Sequence, residues 1–261
     1  MRILAIETSC DETGAAVVES NGNEVKILSN VVATSLAIHS KTGGIIPEAA
    51  AREQVKYIIP VINEALEKAG ITFGSTSKPK PHPNPLLPGE GDQGKNLMVD
   101  AIAVTYGPGL IGSLLVGVET AKALSFLWDK PLIPINHLFG HIYANWLTQP
   151  HPNPLLKGEG DQGGEIPRFP LVALIVSGGH TDLVLMKSHT DITWLGGTRD
   201  DAAGECFDKS GRLLGLPYPA GPEIEQKAKL GNPKAYHFPR PLLHEKNYDF
   251  SFSGLKTAIL R

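Results

Sequence analysis

The sequence predicts an α/β protein made of two similar units, in which mixed β-sheets pack against helices. Three β-rich runs followed by helical periodicity occur near the N-terminus, and the same order returns after residue 170. Hydrophobic residues make up 41% of the 261 residues and charged residues 20%, which is typical of a folded protein with a core. The repeated order of elements indicates an internal duplication of one layered unit.

The first unit is predicted to contain five strands and three helices. Helical periodicity runs from about residue 47 to residue 69, with Val55, Ile58, Ile59, Ile62 and Leu66 on one face. The predicted strands are residues 2–8, 14–19, 25–32, 98–105 and 132–135. The other two helices are residues 113–128 and, more approximately, 138–147.

The second unit is predicted to begin in the same way. Its strands are residues 171–176, 181–187 and 192–195, and a helix follows at residues 201–214. In both units the first two strands form a hairpin with a short turn of small or polar residues. Duplicated units of this kind face each other in the actin, sugar-kinase and heat-shock ATPase folds. We therefore expect actin-like, ribonuclease H-like lobes with mixed sheets.

A segment rich in proline and glycine occurs twice, at residues 81–94 and 150–163, and Lys157 in place of Pro88 is the only difference. Its composition blocks both helix and ladder hydrogen bonds, and two copies cannot make a solenoid. Both copies are predicted to be inserted surface loops. The expected domains are a first lobe at residues 1–148, a second inserted loop at 149–164 and a second lobe at 165–261.

Composition narrows the classes of function. The two cysteines, Cys10 and Cys206, do not indicate a disulfide framework or a zinc knuckle. The N-terminus lacks the apolar stretch of a signal peptide, and we expect a cytoplasmic protein with no membrane span. The net charge is −3, whereas proteins that grip RNA mainly by its backbone are usually basic. Any contact with nucleic acid is therefore expected through a local patch or with help from a partner.

The two hairpin turns, residues 8–13 and 177–181, occupy equivalent places and are candidates for binding phosphate. Glycines let backbone N–H groups approach an anion, and small hydroxyls add donors. Asp11 and Glu12 cannot bind phosphate well, but either could hold a cation that does. Ordinary hairpin turns are the alternative interpretation of each turn taken alone.

His137 and His141 are four residues apart, a spacing that puts both imidazoles on one face of a helix and within reach of one metal ion. Leu138 follows the first histidine, so the pattern lacks the general base of a His-Glu-x-x-His metalloprotease. No third ligand is evident nearby. A structural histidine pair remains the alternative.

Several acidic residues open the helix predicted at residues 201–214. Asp200 and Asp201 fit helix capping, whereas capping does not account for Asp208, one turn after Gly204. A tight turn at residues 218–222 precedes another helix, which carries Glu225 in its first turns. Gly221 in that turn could let a nucleotide sugar lie against the backbone, and a plain turn is equally consistent with the sequence.

Six ordered motifs together closely resemble the TsaD family of tRNA adenosine threonylcarbamoyltransferases, formerly described as O-sialoglycoprotein endopeptidases. The motifs are Ile-Glu-Thr-Ser-Cys-Asp-Glu-Thr at 6–13, Gly-Pro-Gly-Leu at 107–110, His137-x-x-x-His141, Val-Ser-Gly-Gly-His-Thr at 176–181, Asp-Ala-Ala-Gly-Glu at 201–205 and Ser-Phe-Ser-Gly-Leu-Lys-Thr at 251–257. The resemblance covers the chain from end to end except for the two repeats.

The resemblance implies transfer of a threonylcarbamoyl group from threonylcarbamoyl-AMP to N6 of adenosine 37 in tRNA. It implies that His137 and His141 bind one divalent metal per subunit, iron or zinc, with Fe²⁺ favoured. The implied nucleotide-binding residues are Ile175, Val176, Ser177, Gly178, Gly179, Asp208, Gly221 and Glu225. No catalytic residue is assigned, and Asp11 and Glu12 are the candidates. The implied partners are a smaller paralogous TsaB-like subunit and a TsaE-like P-loop ATPase.

The sequence departs from the family pattern in two places. Phe139 stands where the family usually has a glutamate between the histidines. The sequence reaches Arg261 before the family's later asparagine motif and its final metal-binding aspartate, so we expect an incomplete second lobe, a missing third metal ligand and exposed apolar surface. Two alternatives stay open: a non-catalytic remnant or partner-binding scaffold of this family, and an ATPase or kinase of the same fold.

Overall fold

The computed structural model describes residues 1–22, 25–42, 44–71, 99–147 and 168–261, and the side chains of residues 40–42 are outside the description. The chain divides into two compact units, which are treated separately. The first comprises Met1–Ala37 and Ile45–Glu165, and the second comprises Ile38–Gly44 and Ile166–Arg261. Both predicted inserted loops lie outside the described residues, and the domain boundaries predicted above remain a prediction.

The first unit contains a five-stranded mixed sheet in the order β3-β2-β1-β4-β5. The strands are β1 (Arg2–Glu7), β2 (Glu12–Ser20), β3 (Val25–Thr34), β4 (Ala101–Gly107) and β5 (Leu132–Asn136). β1, β2 and β3 form an antiparallel meander, and β4 and β5 run parallel to β1. The predicted α/β class with a mixed sheet is confirmed, and all five predicted strands are present.

The helices of the first unit are α1 (Leu36–Thr42, which crosses into the second unit), α2 (Pro47–Lys68), α3 (Ile111–Trp128) and α4 (His137–Tyr143). α2 packs against β2 and β3, α3 packs against β4, and the two helices contact each other. Their apolar faces bury alternate side chains of β1, including Leu4 and Ile6. The main hydrophobic core of the described chain therefore lies inside this unit.

α3 is the one described helix that is long and apolar enough to cross a membrane by length and composition alone. In the structure, however, Ser113, Leu114, Gly117 and Ala121 are buried on the face that packs against the sheet and α2. A core helix meets the same length and composition criteria.

The second unit opens with a three-stranded antiparallel sheet in the order β6-β7-β8. Its strands are β6 (Leu171–Val176), β7 (Thr181–Met186) and β8 (Ile192–Gly197), and its helices are α5 (Ala203–Leu213), α6 (Ala220–Ala228) and α7 (Ser253–Leu260). This meander repeats the β1-β2-β3 order of the first unit. The expected exposed apolar surface is present, since Val172, Leu174 and Val176 of β6 are all exposed.

Residues 229–252 form no helix or named strand, but part of this segment follows β8. Thr198 and Phe250 form a parallel bridge, and Phe250 donates its N–H to the carbonyl of Gly197 at 2.9 Å. A Cβ added to Gly196 would come within 2.4 Å of the carbonyl oxygen of Tyr248. Gly196 thus allows the later backbone to lie close beside the end of β8.

Candidate functional site

Three loops of the first unit meet at one edge of its sheet, because β1, β4 and β5 are parallel and their carboxyl ends lie together. Ser9, after β1, joins the three loops. Its carbonyl accepts the N–H of Leu110 at 2.8 Å, and a Cβ added to Gly109 would come within 2.5 Å of the same oxygen. Its hydroxyl lies 3.2 Å from Nδ1 of His137, which follows β5. The edge therefore places the β1–β2 turn beside the first residue of α4.

His137 and His141 lie on the same face of α4, as their spacing predicts. Their Nε2 atoms are 3.0 Å apart, and their ring planes are inclined at 80°. Two metal–nitrogen bonds of about 2.0–2.1 Å at a right angle place their nitrogens about 3 Å apart, so the pair fits two adjacent ligands of one divalent ion. Among the described residues no group of three or more His, Cys, Asp or Glu side chains could hold a metal.

Glu7 lies behind the first histidine. The Glu7 Oε2 atom is 3.3 Å from Nδ1 of His137 and accepts a hydrogen bond from the Thr105 hydroxyl. The other carboxylate oxygen, Oε1, accepts the Ser9 N–H. Burial alone would raise the pKa of Glu7, but the hydrogen bonds from His137, Ser9 and Thr105 outweigh it and lower the pKa to about 2. A carboxylate at Nδ1 favours the tautomer with its proton there, which leaves the Nε2 lone pair for a metal. His137 and His141 therefore fit as two of the ligands of a divalent metal ion.

The β1–β2 turn is held by polar side chains from the neighbouring helices. The Gln54 amide of α2 donates to the carbonyls of Cys10 and Glu12, each at 3.0 Å. The Ser113 hydroxyl of α3 donates to the Cys10 carbonyl at 2.9 Å. Because a peptide carbonyl and the N–H of the same peptide unit point in opposite directions, the Asp11 N–H faces away from these two donors.

Asp11 and Glu12, the catalytic candidates, lie in this fixed turn. The Asp11 carbonyl accepts the Ser35 hydroxyl at 2.7 Å, so the backbone between the two carboxyl groups is fixed as well. Partial burial raises the pKa of Glu12, and the charges of Asp11 and Glu7 raise it further. Acidic groups that repel one another in this way favour a nearby cation or a bound proton.

The β6–β7 turn of the second unit is closed by its own serine. The Ser177 N–H donates to the His180 carbonyl at 2.8 Å, and the Ser177 hydroxyl accepts the N–H groups of Gly179 at 3.3 Å and His180 at 3.0 Å. A Cβ added to Gly178 or Gly179 would meet no atom within 4 Å. The turn is therefore open on its glycine side, and a ligand could approach its backbone there.

The first turn of α5 lies directly against this loop. The Gly204 N–H donates to the Ser177 carbonyl at 3.1 Å, and a Cβ added to Gly204 would lie 2.7 Å from that oxygen. The Ala203 N–H donates to the Thr181 hydroxyl at 2.9 Å. The N-terminus of a helix favours negative charge, so its position beside an open glycine turn suits a phosphate group.

The start of α6 packs against the same face of α5. Asp208 accepts the Ala220 N–H at 2.7 Å, and a Cβ added to Gly211 would lie 2.1 Å from Cβ of Ala220. Gly221 has open space around it, and the Glu225 carboxylate lies 3.6 Å from Lys229 on the exposed side of α6. The open turn, Asp208 and Gly221 therefore lie along one face of α5.

A family model described as "TsaD: tRNA N6-adenosine threonylcarbamoyltransferase" matches residues 26–78 and 95–261. The chain belongs to the TsaD family. A protein of that name from Thermomicrobium roseum is 52% identical over 261 residues, which are all of this chain and 62% of the relative. One from Moorella thermoacetica is 48% identical over 258 residues, which are 99% of this chain and 64% of the relative. The chain thus spans less than two thirds of the length of these TsaD relatives.

Among solved structures, YeaZ from Pseudomonas aeruginosa is similar with a TM-score of 0.37 and 15% identity, covering 74% of this chain and 65% of that one. A likeness at this level supports no functional inference. The assignment to the TsaD family rests on the family model and on the longer TsaD relatives.

The structure corrects the role expected for two acids of this TsaD chain. Asp200 and Asp201 do not cap α5, whose N-cap residue is Ala202. Asp200 instead accepts the N–H groups of Phe252 at 2.7 Å and Ser253 at 3.2 Å, at the start of α7. Asp201 forms an ion pair with Lys209 at 2.6 Å. The reason is that the later chain returns beside β8 and brings α7 to Asp200.

Asp208 also has a structural role that its position in the sequence did not suggest. It caps α6, a different helix from its own, by accepting the Ala220 N–H. Its predicted contact with a nucleotide remains a prediction, as do those of Ile175, Val176, Ser177, Gly178, Gly179, Gly221 and Glu225. Ile175 is buried, whereas the Val176 side chain is exposed.

Sequence reasoning missed Glu7 and Gln54 as parts of the first-unit site. Glu7 is the only charged residue between Ile3 and Cys10, at the end of an apolar strand, and that position could have marked it. Gln54 is fully buried within α2, where a polar residue interrupts the apolar face. A buried amide that makes several backbone contacts is typical of a side chain that fixes a loop.

Proposed function

We propose that this TsaD-family chain transfers the threonylcarbamoyl group from threonylcarbamoyl-AMP to N6 of adenosine 37 in tRNAs that read codons beginning with A. The exocyclic amine attacks the acyl carbonyl, the new C–N bond forms, the bond from that carbon to the phosphate oxygen breaks, and AMP leaves as the amine loses a proton. The observation that carries the proposal is the His137–His141 pair, with Nε2 atoms 3.0 Å apart and Glu7 behind it, in a chain of this family.

In the first unit, His137 and His141 would hold the metal through their Nε2 atoms, and Glu7 would fix the His137 ring. A bound divalent ion, iron or zinc with Fe²⁺ favoured by the family, would supply positive charge that stabilises developing negative charge. Asp11 and Glu12 are the candidates for accepting the proton of the amine or for holding a cation. The raised pKa of Glu12 supports it as a proton acceptor.

In the second unit, the open β6–β7 turn and the N-terminus of α5 would receive the AMP part of the donor. Ile175, Val176, Ser177, Gly178 and Gly179 form or flank the turn. Asp208, Gly221 and Glu225 follow along α5 and α6, where open space at Gly221 leaves room for a sugar close to the backbone. Backbone N–H groups and a helix N-terminus stabilise a leaving phosphate without any change in protonation.

An exposed apolar surface of the first unit supports a protein partner. Val55 and Ile59 of α2 and Leu115 of α3 are exposed, and Phe126 of α3 is 91% exposed. The two helices contact each other, so these side chains could form part of a helical docking face. We propose that a smaller paralogous TsaB-like subunit docks there, that a TsaE-like P-loop ATPase completes the assembly, and that the protein acts in the cytoplasm.

The metal site is tested by measuring bound iron and zinc after reconstitution and desalting, together with formation of the modified nucleoside on a tRNA transcript supplied with threonylcarbamoyl-AMP. We expect His141→Ala to lose the metal and Glu7→Gln to bind it about 10- to 100-fold more weakly. Gly140→Ala is the control, because Gly140 lies between the two histidines and an added Cβ there meets no atom within 4 Å. This variant should bind metal normally.

Metal retained by a His137→Ala, His141→Ala double variant at the wild-type level would contradict this site. A wild-type chain that binds metal and yet modifies no tRNA would instead support the alternative, a non-catalytic scaffold of the family. One observation favours that alternative: no group of three ligands is found among residues 1–22, 25–42, 44–71, 99–147 and 168–261. Retained binding of the TsaB-like subunit, measured by size-exclusion chromatography, would then identify the scaffold.

A further inference from the structure

The charge of this acidic chain is unevenly distributed. Residues 226–261 contain seven lysines and arginines against two acidic residues, so this segment carries +5 while the whole chain carries −3. Residues 231–241 are all exposed. Because the protein as a whole is acidic, it should not attract polyanions over its entire surface. The local positive charge instead indicates one surface for an anionic partner.

The two acidic residues of this segment are already paired. Arg199, which lies outside it, contacts Asp249 at 2.8 Å and Glu245 at 3.4 Å. By contrast, Lys234, Arg240 and Lys246 form no ion pair with any side chain in the described parts of the chain. Their charges are therefore available to a partner, while the acids that could have neutralised them are not.

Aromatic side chains stand among these cations around one concave surface. Lys234, Tyr236, His237, Phe238, Arg240 and Tyr248 line the same cavity of about 820 Å³. Tyr236 is 76% exposed, and its ring stacks on that of Phe238 with centroids 6.2 Å apart and planes inclined at 29°. A cavity of this size accommodates a nucleotide, and an exposed aromatic ring offers a face on which a base can stack.

The geometry points to residues 234–248 as a binding surface for unpaired nucleotides of RNA, in which Lys234 and Arg240 contact phosphates and Tyr236 stacks on a base. This inference rests on the proposed function, because it assigns a place on this chain to the loop of the tRNA substrate. Loops are the parts of an RNA whose bases are free to stack on protein side chains, whereas a duplex offers mainly phosphates and sugars. A protein partner fits less well, since the two unpaired cations that line the open cavity, Lys234 and Arg240, would need matching acidic groups.

The test compares four forms of the whole chain: wild type, Lys234→Glu/Arg240→Glu, Tyr236→Ala and Lys187→Glu. Lys187 is an exposed lysine at the β7–β8 turn that lies outside the cavity, and it serves as the matched control. Fluorescence anisotropy measures binding of a labelled RNA stem-loop with a seven-nucleotide loop, and of a duplex of equal length, over a series of salt concentrations.

For the double variant we expect weaker RNA binding. The slope of log affinity against log salt concentration should decrease in magnitude by about 1 for each phosphate that the protein no longer neutralises. Tyr236→Ala should weaken binding of the stem-loop by about 5- to 150-fold, leave the salt dependence unchanged and affect the duplex little. Lys187→Glu should match wild type. Circular dichroism confirms that each variant is folded.

Equal binding by the double variant and Lys187→Glu would overturn the surface, as would a wild type that binds neither RNA. Tight capture of an acidic protein with no RNA binding would overturn it in favour of a protein partner. The proposed function is judged apart from these outcomes. If the double variant forms the modified nucleoside with unaltered activity, the RNA-binding surface is overturned and the proposed transferase function stands. If the chain shows Tyr236-dependent RNA binding but forms no modified nucleoside, the surface stands and the transferase function is overturned.

Discussion

The two units begin with the same three-stranded meander and continue differently. In the first, β1 has a neighbour on each side, because β2 pairs with one edge and β4 with the other. In the second, β6 is the equivalent strand and, among the described residues, pairs only with β7. The first sheet is covered by α2 and α3 over a large core, while β6 exposes Val172, Leu174 and Val176. The same local pattern thus yields a central strand in one unit and an edge strand in the other.

The hairpin turns of the two units are also stabilised by different means. The first turn is fixed by side chains from helices far away in sequence, such as Gln54 and Ser113. The second is fixed by the hydroxyl of Ser177 within the turn and by close contact with Gly204. A turn held by the core depends on the stability of its whole unit, whereas a turn held locally depends on one contact. The site in the first unit should therefore be the more resistant to local unfolding.

The largest effect should come from truncating a buried side chain on one of the two equivalent strands, β1 and β6. Ile6→Ala removes a fully buried side chain from β1 and should cost about 3–5 kcal/mol of unfolding free energy, whereas Ile175→Ala in β6 should cost about 1–3 kcal/mol. Urea unfolding distinguishes the two, because Trp128 and Trp146 report on the first unit and Trp194 on the second. Equal costs at both positions would show that the second unit packs as tightly as the first.

Much of this comparison could be predicted from sequence. The periodicity of residues 47–69 predicted α2 almost to the residue, since it runs from Pro47 to Lys68. The i, i+4 spacing predicted that His137 and His141 share a face. α3 begins at Ile111, two residues before the predicted start. Such features depend on neighbouring residues, so a single sequence contains them.

What could not be predicted depends on contacts between distant residues. Neither α1 nor α7 was predicted, because both are short helices and tertiary contacts decide whether such helices form. The hydrogen bonds that Asp200 accepts from the N–H groups of Phe252 and Ser253 join residues more than fifty positions apart. Those that Glu7 accepts from Thr105 and His137 join residues even further apart. No local pattern specifies a pair of this kind. The positions at which sequence reasoning failed are thus those at which the fold brings loops together.

A smaller effect should follow from placing a methyl group in the contact that holds the second turn. Gly204→Ala puts Cβ about 2.7 Å from the Ser177 carbonyl and 2.8 Å from Cα of Gly178, so the turn and α5 must separate. We expect a cost of about 1–3 kcal/mol in the unfolding transition of the second unit and at least a tenfold loss of AMP affinity by calorimetry. Gly178→Ala is the matched control for stability, because its Cβ meets nothing within 4 Å. Normal AMP binding by Gly204→Ala would show that the contact does not shape the nucleotide site.

The smallest effect should come from Asp200, whose carboxylate accepts hydrogen bonds at the start of α7. Burial raises the pKa of Asp200, but hydrogen bonds from Ser251, Phe252 and Ser253 outweigh it and hold the pKa well below its usual range. A carboxyl group with a depressed folded-state pKa stabilises the fold fully above its unfolded pKa of about 3.9, and this contribution is lost as the pH falls towards the folded value. Asp200→Asn should therefore cost less than about 1 kcal/mol at pH 6, since an amide still caps the helix, and the difference from wild type should shrink below pH 4.

The measurement for this variant is the urea midpoint reported by Trp194, in a background where Trp128 and Trp146 are replaced by phenylalanine, at pH values from 6 to 2.5. Asp191→Asn is the control, because the exposed Asp191 carboxylate accepts no hydrogen bond within the described residues. A gap between wild type and Asp200→Asn that stays constant down to pH 2.5 would mean that charge at Asp200 does not hold α7. The start of α7 would then depend on neutral hydrogen bonds and on the pairing beside β8, and the contrast with the first unit, where an ionised Glu7 holds the site, would widen.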